Sequence, residues 1–258
     1  MKPWKLIFTA MIASAAFAGA AQAYTTVTIN DTYIGGNPAG GTNSNTSWDG
    51  KDVVGDAAYF GINKMAVDFN GRALDRVRIN TNYVDYLGKY DTHMGDLFIS
   101  TNGYTAAGIY DTNTTGEQWE YALVLNACSE VHSKDFRGTS GTLGLYNVYN
   151  SGANNNIVLS HANGTYRNYQ EVEINTRYGQ IAQNAGTWSI NKDTNELIFD
   201  LSTNFFDNFN NFGFHWGESC GNDVIEGGAS APVPEPSTFA LLGAGLLGAG
   251  LIRRKMKK

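Results

Sequence analysis

The sequence predicts an all-β protein, an antiparallel β-sandwich of jelly-roll type, carried between two terminal segments of a different character. Three observations predict it. Short runs of alternating apolar and polar residues recur through residues 24–231, and a period of two sends successive side chains to opposite faces of a strand. Gly- and Asn-rich spacers at 34–41, 101–103, 151–156, 163–164 and 191–195 separate those runs, as turns separate the strands of a sandwich or barrel. No part of this middle region shows the 3.6-residue period of an amphipathic helix.

The expected strands follow in order. Residues 25–29 alternate Thr and apolar residues, and 64–69 is the second run. In 74–80, Val77 and Ile79 share one face, with Arg76 and Arg78 on the other. Then come 96–100, 108–111, 119–126, 142–149, 156–160, 170–175, 187–190, 196–202 and 212–216. Phe205, Phe206 and Phe209 break the alternation and suggest a turn or 3₁₀ piece, while 35–48 reads as a long loop. A body of about 200 residues is enough to bury one core.

Charge narrows the function. Of 258 residues, 16% are charged and 12% aromatic, a composition that argues against disorder. Residues 1–23 and 232–258 hold seven of the 18 basic residues and one of the 24 acids, so the middle carries 11 basic and 23 acidic residues, net −12. Such a body repels a phosphate backbone, which argues against nucleic-acid binding.

The ends carry their own signals. Lys2 and Lys5 precede an apolar run, and Ala21-Gln22-Ala23 forms a small-x-small site, the pattern of a secretory signal peptide over 1–23 cut before Tyr24. At the other end, Pro234, Glu235 and Pro236 are followed by an apolar helix expected over 238–252 and a basic end at 253–258. Fourteen uncharged residues, 239–252, reach roughly 21 Å as a helix against a hydrocarbon core near 30 Å; a thinned bilayer narrows that gap. The five terminal cations are expected to stay cytoplasmic, so the helix is expected to be a transmembrane anchor until processing, with the body outside. The domain plan is therefore 1–23, 24–231 and 232–258.

Two cysteines, Cys128 and Cys220, stand in this exported chain. Alternation from Phe212 through Phe214 and Trp216 places Cys220 on the aromatic, buried side. A bridge closing about 90 residues would stabilise by roughly 4–5 kcal/mol; two buried free thiols are the alternative.

The tail resembles the PEP-CTERM sorting signal in its three-part order of Pro-Glu-Pro, short apolar helix and basic end. That resemblance implies recognition by an exosortase at the inner membrane, cleavage near the motif, and a Gram-negative source that makes extracellular polysaccharide. Pro234 and Pro236 hold the motif extended, the shape a processing enzyme can grip. The segment from Phe212 to Gly227, with its Trp-x-x-x-Cys-Gly-Asn-Asp pattern, resembles the closing strand of secreted PEP-CTERM proteins of unknown function, as Gly95–Gly103 resembles one of their inner strands. This likeness supports the sandwich and the bridge and implies no activity.

Candidate chemistry is sparse. Glu171, Glu173 and Asn175 fall at i, i+2 and i+4, one face of a strand. The spacing is similar to that of laminarinase-type glycosidases on the jelly-roll, concanavalin-like fold, where paired carboxylates act as nucleophile and acid. It departs from their Glu-x-Asp-x-x-Glu pattern in having Glu in the middle and Thr176 or Arg177 where a final acid would fall. The plain alternative is a solvated face opposite Val172 and Ile174. Asp111, Asn113 and Thr115 imitate the first half of a calcium loop, but Ala122 stands where its bidentate Glu belongs. Asp49, Asp52 and Asp56 form one further oxygen group, and Asn222, Asp223 and Glu226 another. His93, His132, His161 and His215 lack a zinc spacing. No nucleophile-elbow or phosphate-cradling motif occurs. Trp48, in its Gly/Asn loop, is the candidate sugar-stacking residue, whereas Trp119 and Trp216 are expected in the core.

The expectation is an exported, non-enzymatic cell-surface or exopolysaccharide-matrix protein that binds glycan and needs no cofactor, calcium being the one candidate ion. A glycoside hydrolase or lyase using Glu171 and Glu173 is the alternative.

Overall fold

A computed structural model describes residues 24–35, 52–88, 92–105, 117–125, 138–149, 155–160, 170–233 and 238–256. The expected signal peptide, the 108–111 run, Trp48, Asp49, Asp111, Asn113, Thr115, Cys128, His132, His161, Pro234, Glu235 and Pro236 lie outside the described residues. Residues Thr25–Pro232 form one compact unit, and the helix Thr238–Met256 belongs to another.

Among the described residues, twelve strands build the body: β1 (Tyr24–Asn30), β2 (Ile62–Asn70), β3 (Ala73–Thr81), β4 (Leu97–Ser100), β5 (Tyr121–Leu125), β6 (Ser140–Asn147), β7 (Ile157–Leu159), β8 (Glu171–Ile174), β9 (Gln180–Asn191), β10 (Glu196–Leu201), β11 (Asn211–Gly217) and β12 (Val224–Ser230). Ten of them join in a single sheet ordered β1-β2-β3-β10-β9-β6-β5-β4-β11-β12, and β7 pairs with β8 separately. From β2 to β12 every neighbouring pair is antiparallel.

The main sheet curls until its ends nearly meet. A Cβ on Gly227 of β12 would sit 2.5 Å from Cγ2 of Ile29 on β1, so the two edge strands touch through a glycine that leaves room. Across the interior, the rings of Phe69 on β2 and Phe212 on β11 lie 5.8 Å apart. All ten strands feed one apolar cluster that includes Ile29, Met65, Val77, Leu97, Leu123, Leu145, Trp188, Phe199, Phe214 and Ile225. The all-β, antiparallel expectation is met. The sandwich takes the form of one continuous sheet folded around its core, and the strand order does not establish a jelly-roll winding.

Alternation works where one face meets water. Val77, Ile79, Leu197 and Phe199 are fully buried, while Arg78 on the outer face pairs with Asp68 at 3.0 Å and Arg76 pairs with Asp200. Thr26 of β1 donates to the same Asp68 at 2.6 Å.

Elsewhere the one-wet-face rule fails. β4 and most of β11 are buried on both sides, because β7 and β8 cover the outer surface there. Beneath them lies a second apolar cluster of Phe98, Trp119, Ala122, Val124, Tyr146, Val148 and Ile174. Asp96, buried, ties this layer to the sheet: its carboxylate accepts from Leu125 N at 3.3 Å and Ile174 N at 2.9 Å.

Three elements escape sequence patterning. β12 contains Gly227-Gly228, which reads as a turn. The first half of β9 is polar and small. It bends at Gly186, whose φ of +151° and 2.0 Å approach to Asp200 O exclude a side chain. The four-residue helix Ala57–Phe60 starts where Asp56 accepts from Ala58 N at 2.9 Å. Phe206–Phe209 forms the expected turn, with Phe209 N donating to Phe206 O at 3.2 Å.

The C-terminal helix runs one turn beyond the expected 252. Arg253, Arg254 and Lys255 in its last turn are good helix formers that suit the negative end of the dipole. Those cations leave only the uncharged stretch 239–252. Among the described residues no helix is long and apolar enough to cross a membrane.

Candidate functional site

Acidic groups that the sequence separates are regrouped by the fold. Asp31 follows β1, Asp52 precedes the short helix, and Asp223 closes the turn between β11 and β12. One carboxylate oxygen from each lies within 4.8 Å of the others. Asp223 is buried and fixed by two backbone donors, Ile62 N to Oδ2 at 2.7 Å and Val224 N to Oδ1 at 3.0 Å. Its own N–H donates to Glu218 Oε2 at 3.2 Å. Val54 N donates to Asn222 O at 2.7 Å, which pins the Asp52 segment to the Asp223 turn.

The two groups expected from sequence are therefore split. Asp56 is spent as a helix cap, and Glu226 turns to His215. Asp52 and Asp223 come together with Asp31, which sequence reasoning missed. No local signal could have found it, since residues 31, 52 and 223 meet only through the folded sheet.

The candidate catalytic pair on β8 does different work. Glu171 is 4% exposed, and its backbone carbonyl accepts from His215 Nε2 at 2.7 Å. Glu173 is half-buried with Oε2 3.2 Å from His93 Nε2. Asn175 accepts from Arg177 N at 3.1 Å, a local turn.

His215 sits on β11, fully buried among Tyr33, Phe98 and Trp119. Its Nδ1 is 3.1 Å from Glu226 Oε2. A carbonyl on Nε2 and a carboxylate on Nδ1 are both acceptors, so this geometry asks for protons on both nitrogens. Burial alone would pull the imidazole down and is the largest influence. The Glu226 hydrogen bond and charge, with the Glu171 charge and carbonyl, together outweigh it and hold His215 above its ordinary value.

Cys220 is buried, and no partner for its sulfur lies among the described cysteines. Burial first, then the charge of Glu218, pushes it up to about 12, so it is protonated at neutral pH and no nucleophile. Its expected partner, Cys128, lies outside the described residues, and the pairing stays an expectation.

Trp119, Trp188 and Trp216 are core residues, and the Trp216 indole donates to Gly95 O at 3.0 Å. Among the described residues the exposed aromatics are instead tyrosines. Tyr149 and Tyr178 are 39% and 37% exposed. Cε2 of Tyr149 lies 3.0 Å from the point a Cβ would occupy on Gly179, so the two tyrosines flank one spot at the β6–β9 end. The Arg177 guanidinium lies 5.5 Å over the Tyr178 ring, and Asn156 anchors the site by accepting from Tyr149 N at 2.8 Å.

Residues 232–255 match the family model for the PEP-CTERM protein-sorting motif. No curated protein and no solved structure matches the chain. At its C-terminal end, then, the chain carries a PEP-CTERM sorting motif, which implies an exported polypeptide processed by exosortase.

Proposed function

We propose that the body is a non-catalytic protein of the cell surface or exopolysaccharide matrix, delivered there by exosortase processing, and that it binds glycan. The sorting motif at 232–255 carries the reading. The tail helix engages the inner membrane only while the motif is processed, its uncharged stretch being short for an unperturbed bilayer. Two further observations support a non-catalytic body. Glu171 is buried and Glu173 has one carboxylate oxygen at His93, so the two do not stand side by side as an open carboxylate pair. Tyr149 and Tyr178 offer two exposed aromatic side chains beside Arg177, residue types suited to stacking on sugars.

Replacing Pro234, Glu235 and Pro236 together by Ala tests the processing step. The uncleaved chain should accumulate in the producing cells, and wild-type cleavage of the variant would refute it. The glycan reading is tested by retention on polysaccharide from the same cells, with and without Tyr149→Ala/Tyr178→Ala. Two aromatic faces at roughly 0.5–1.5 kcal/mol each set the expected loss at about fivefold or more. Equal retention of both proteins would remove the tyrosines from the site, and no retention of either would leave a purely structural surface role.

A further inference from the structure

We infer that Asp31, Asp52, Asp223 and the Asn222 side-chain carbonyl form a calcium site that clips together the two free edges of the main sheet. The donors come first. Three carboxylate oxygens within 4.8 Å of one another fall inside the about 4.6–5.2 Å that separates oxygens on opposite sides of one calcium ion. The set is all oxygen, with neither thiolate nor imidazole, which suits a hard cation rather than zinc or copper.

Asn222 supplies the independent observation. It is 7% exposed, and its Oδ1 is buried with no hydrogen-bond partner. The side-chain nitrogen of the same amide lies 3.4 Å from the point a Cβ would take on Gly55. The amide thus projects from the Asp223 turn toward the segment that carries Asp52. A buried amide oxygen left without a donor is costly, and such carbonyls are ordinary calcium ligands. Asp223 keeps lone pairs for an ion, because each of its oxygens receives one backbone N–H. Asp52 is exposed and gives the ion its way in.

Topology gives the site a purpose. Asp31 follows β1 and Asp223 precedes β12, and these strands are the two ends of the ten-stranded order. An ion held between them closes the seam where the sheet lacks a final ladder. Nothing in this inference depends on glycan binding or on exosortase.

The experiment uses the full chain in mild detergent, stripped with chelator and titrated by calorimetry with calcium chloride and, separately, magnesium chloride. One saturating calcium site and a calcium-dependent rise in melting temperature are expected, with magnesium weaker by tenfold or more. Asp52→Asn, at an exposed position, should weaken calcium binding at least tenfold, and Asp31→Asn/Asp52→Asn should abolish it, circular dichroism confirming that both variants fold. The inference is overturned if the wild-type chain shows no saturable calcium binding at millimolar concentration. It is equally overturned if the double variant binds as tightly as wild type, or if magnesium matches calcium.

Discussion

The two faces of β11 are both buried, by different chemistry. Inward, Phe212, Phe214 and Trp216 join an apolar cluster fed by every strand of the main sheet. Outward, His215 lies under β8 and the smaller cluster, bonded to the Glu171 carbonyl and beside the Glu226 carboxylate. The difference separates two jobs. Apolar contact is non-directional and closes the sheet around its core. A buried ion pair adds little net stability over apolar residues of the same shape, because desolvation offsets the attraction. What His215 supplies is position: a bond to one chosen carbonyl fixes where β8 rests on the sheet.

Truncation on each side should break this comparison most strongly. Phe214→Ala, deep in the inner cluster, is expected to cost about 3–5 kcal/mol and to lower the denaturant midpoint of the whole body. Ile174→Ala, in the outer layer, is expected to cost about 2 kcal/mol, the low end for such a change. Hydrogen exchange should then speed selectively at β7 and β8 while inner-strand amides stay protected. Uniform acceleration in the Ile174 variant would show that the two layers unfold as one.

A gentler test acts through the proton on His215. A histidine raised in the folded state holds its proton more tightly there than in the unfolded chain. Its stabilisation is complete below the ordinary value of 6.5 and is lost as pH rises through the raised folded value. The groups facing the ring are Glu226 and Glu171, with the Tyr33, Phe98 and Trp119 rings around it. Chemical denaturation of the wild type should therefore show stability falling above about pH 6.5. Glu226→Gln removes the main partner charge, should cost about 1–3 kcal/mol near neutral pH, and should flatten that slope. A slope unchanged by the substitution would assign the pH dependence to other groups.

What the sequence could reveal follows from how far apart the interacting residues lie. The sorting motif was legible because its parts are adjacent. β3 and β10 were legible because Val77 and Ile79, or Leu197 and Phe199, alternate with residues that meet water. β12 was hidden because Gly227 and Gly228 answer contacts with Ile29 and Tyr104, partners distant in sequence. His215 sits at a position where alternation expects solvent, and only the cover of β7 and β8 makes it a buried ion. The acidic site was half legible. Asp52 and Asp223 were noticed separately, and neither spacing pointed to the other or to Asp31.

The smallest expected effect concerns Cys220 and leaves stability untouched. It faces the inner cluster, as alternation along β11 anticipates, and its thiol, pushed up to about 12, presents almost no thiolate at neutral pH. Iodoacetamide should therefore label Cys220 at least a hundredfold more slowly in the folded protein than in the reduced, unfolded chain, as read by peptide mass. Rapid labelling of the folded chain would contradict the burial. The same mapping in denaturant without reductant separates the two states of the pair. A free Cys220 takes the label at once. A bridge to Cys128 blocks it until reductant is added.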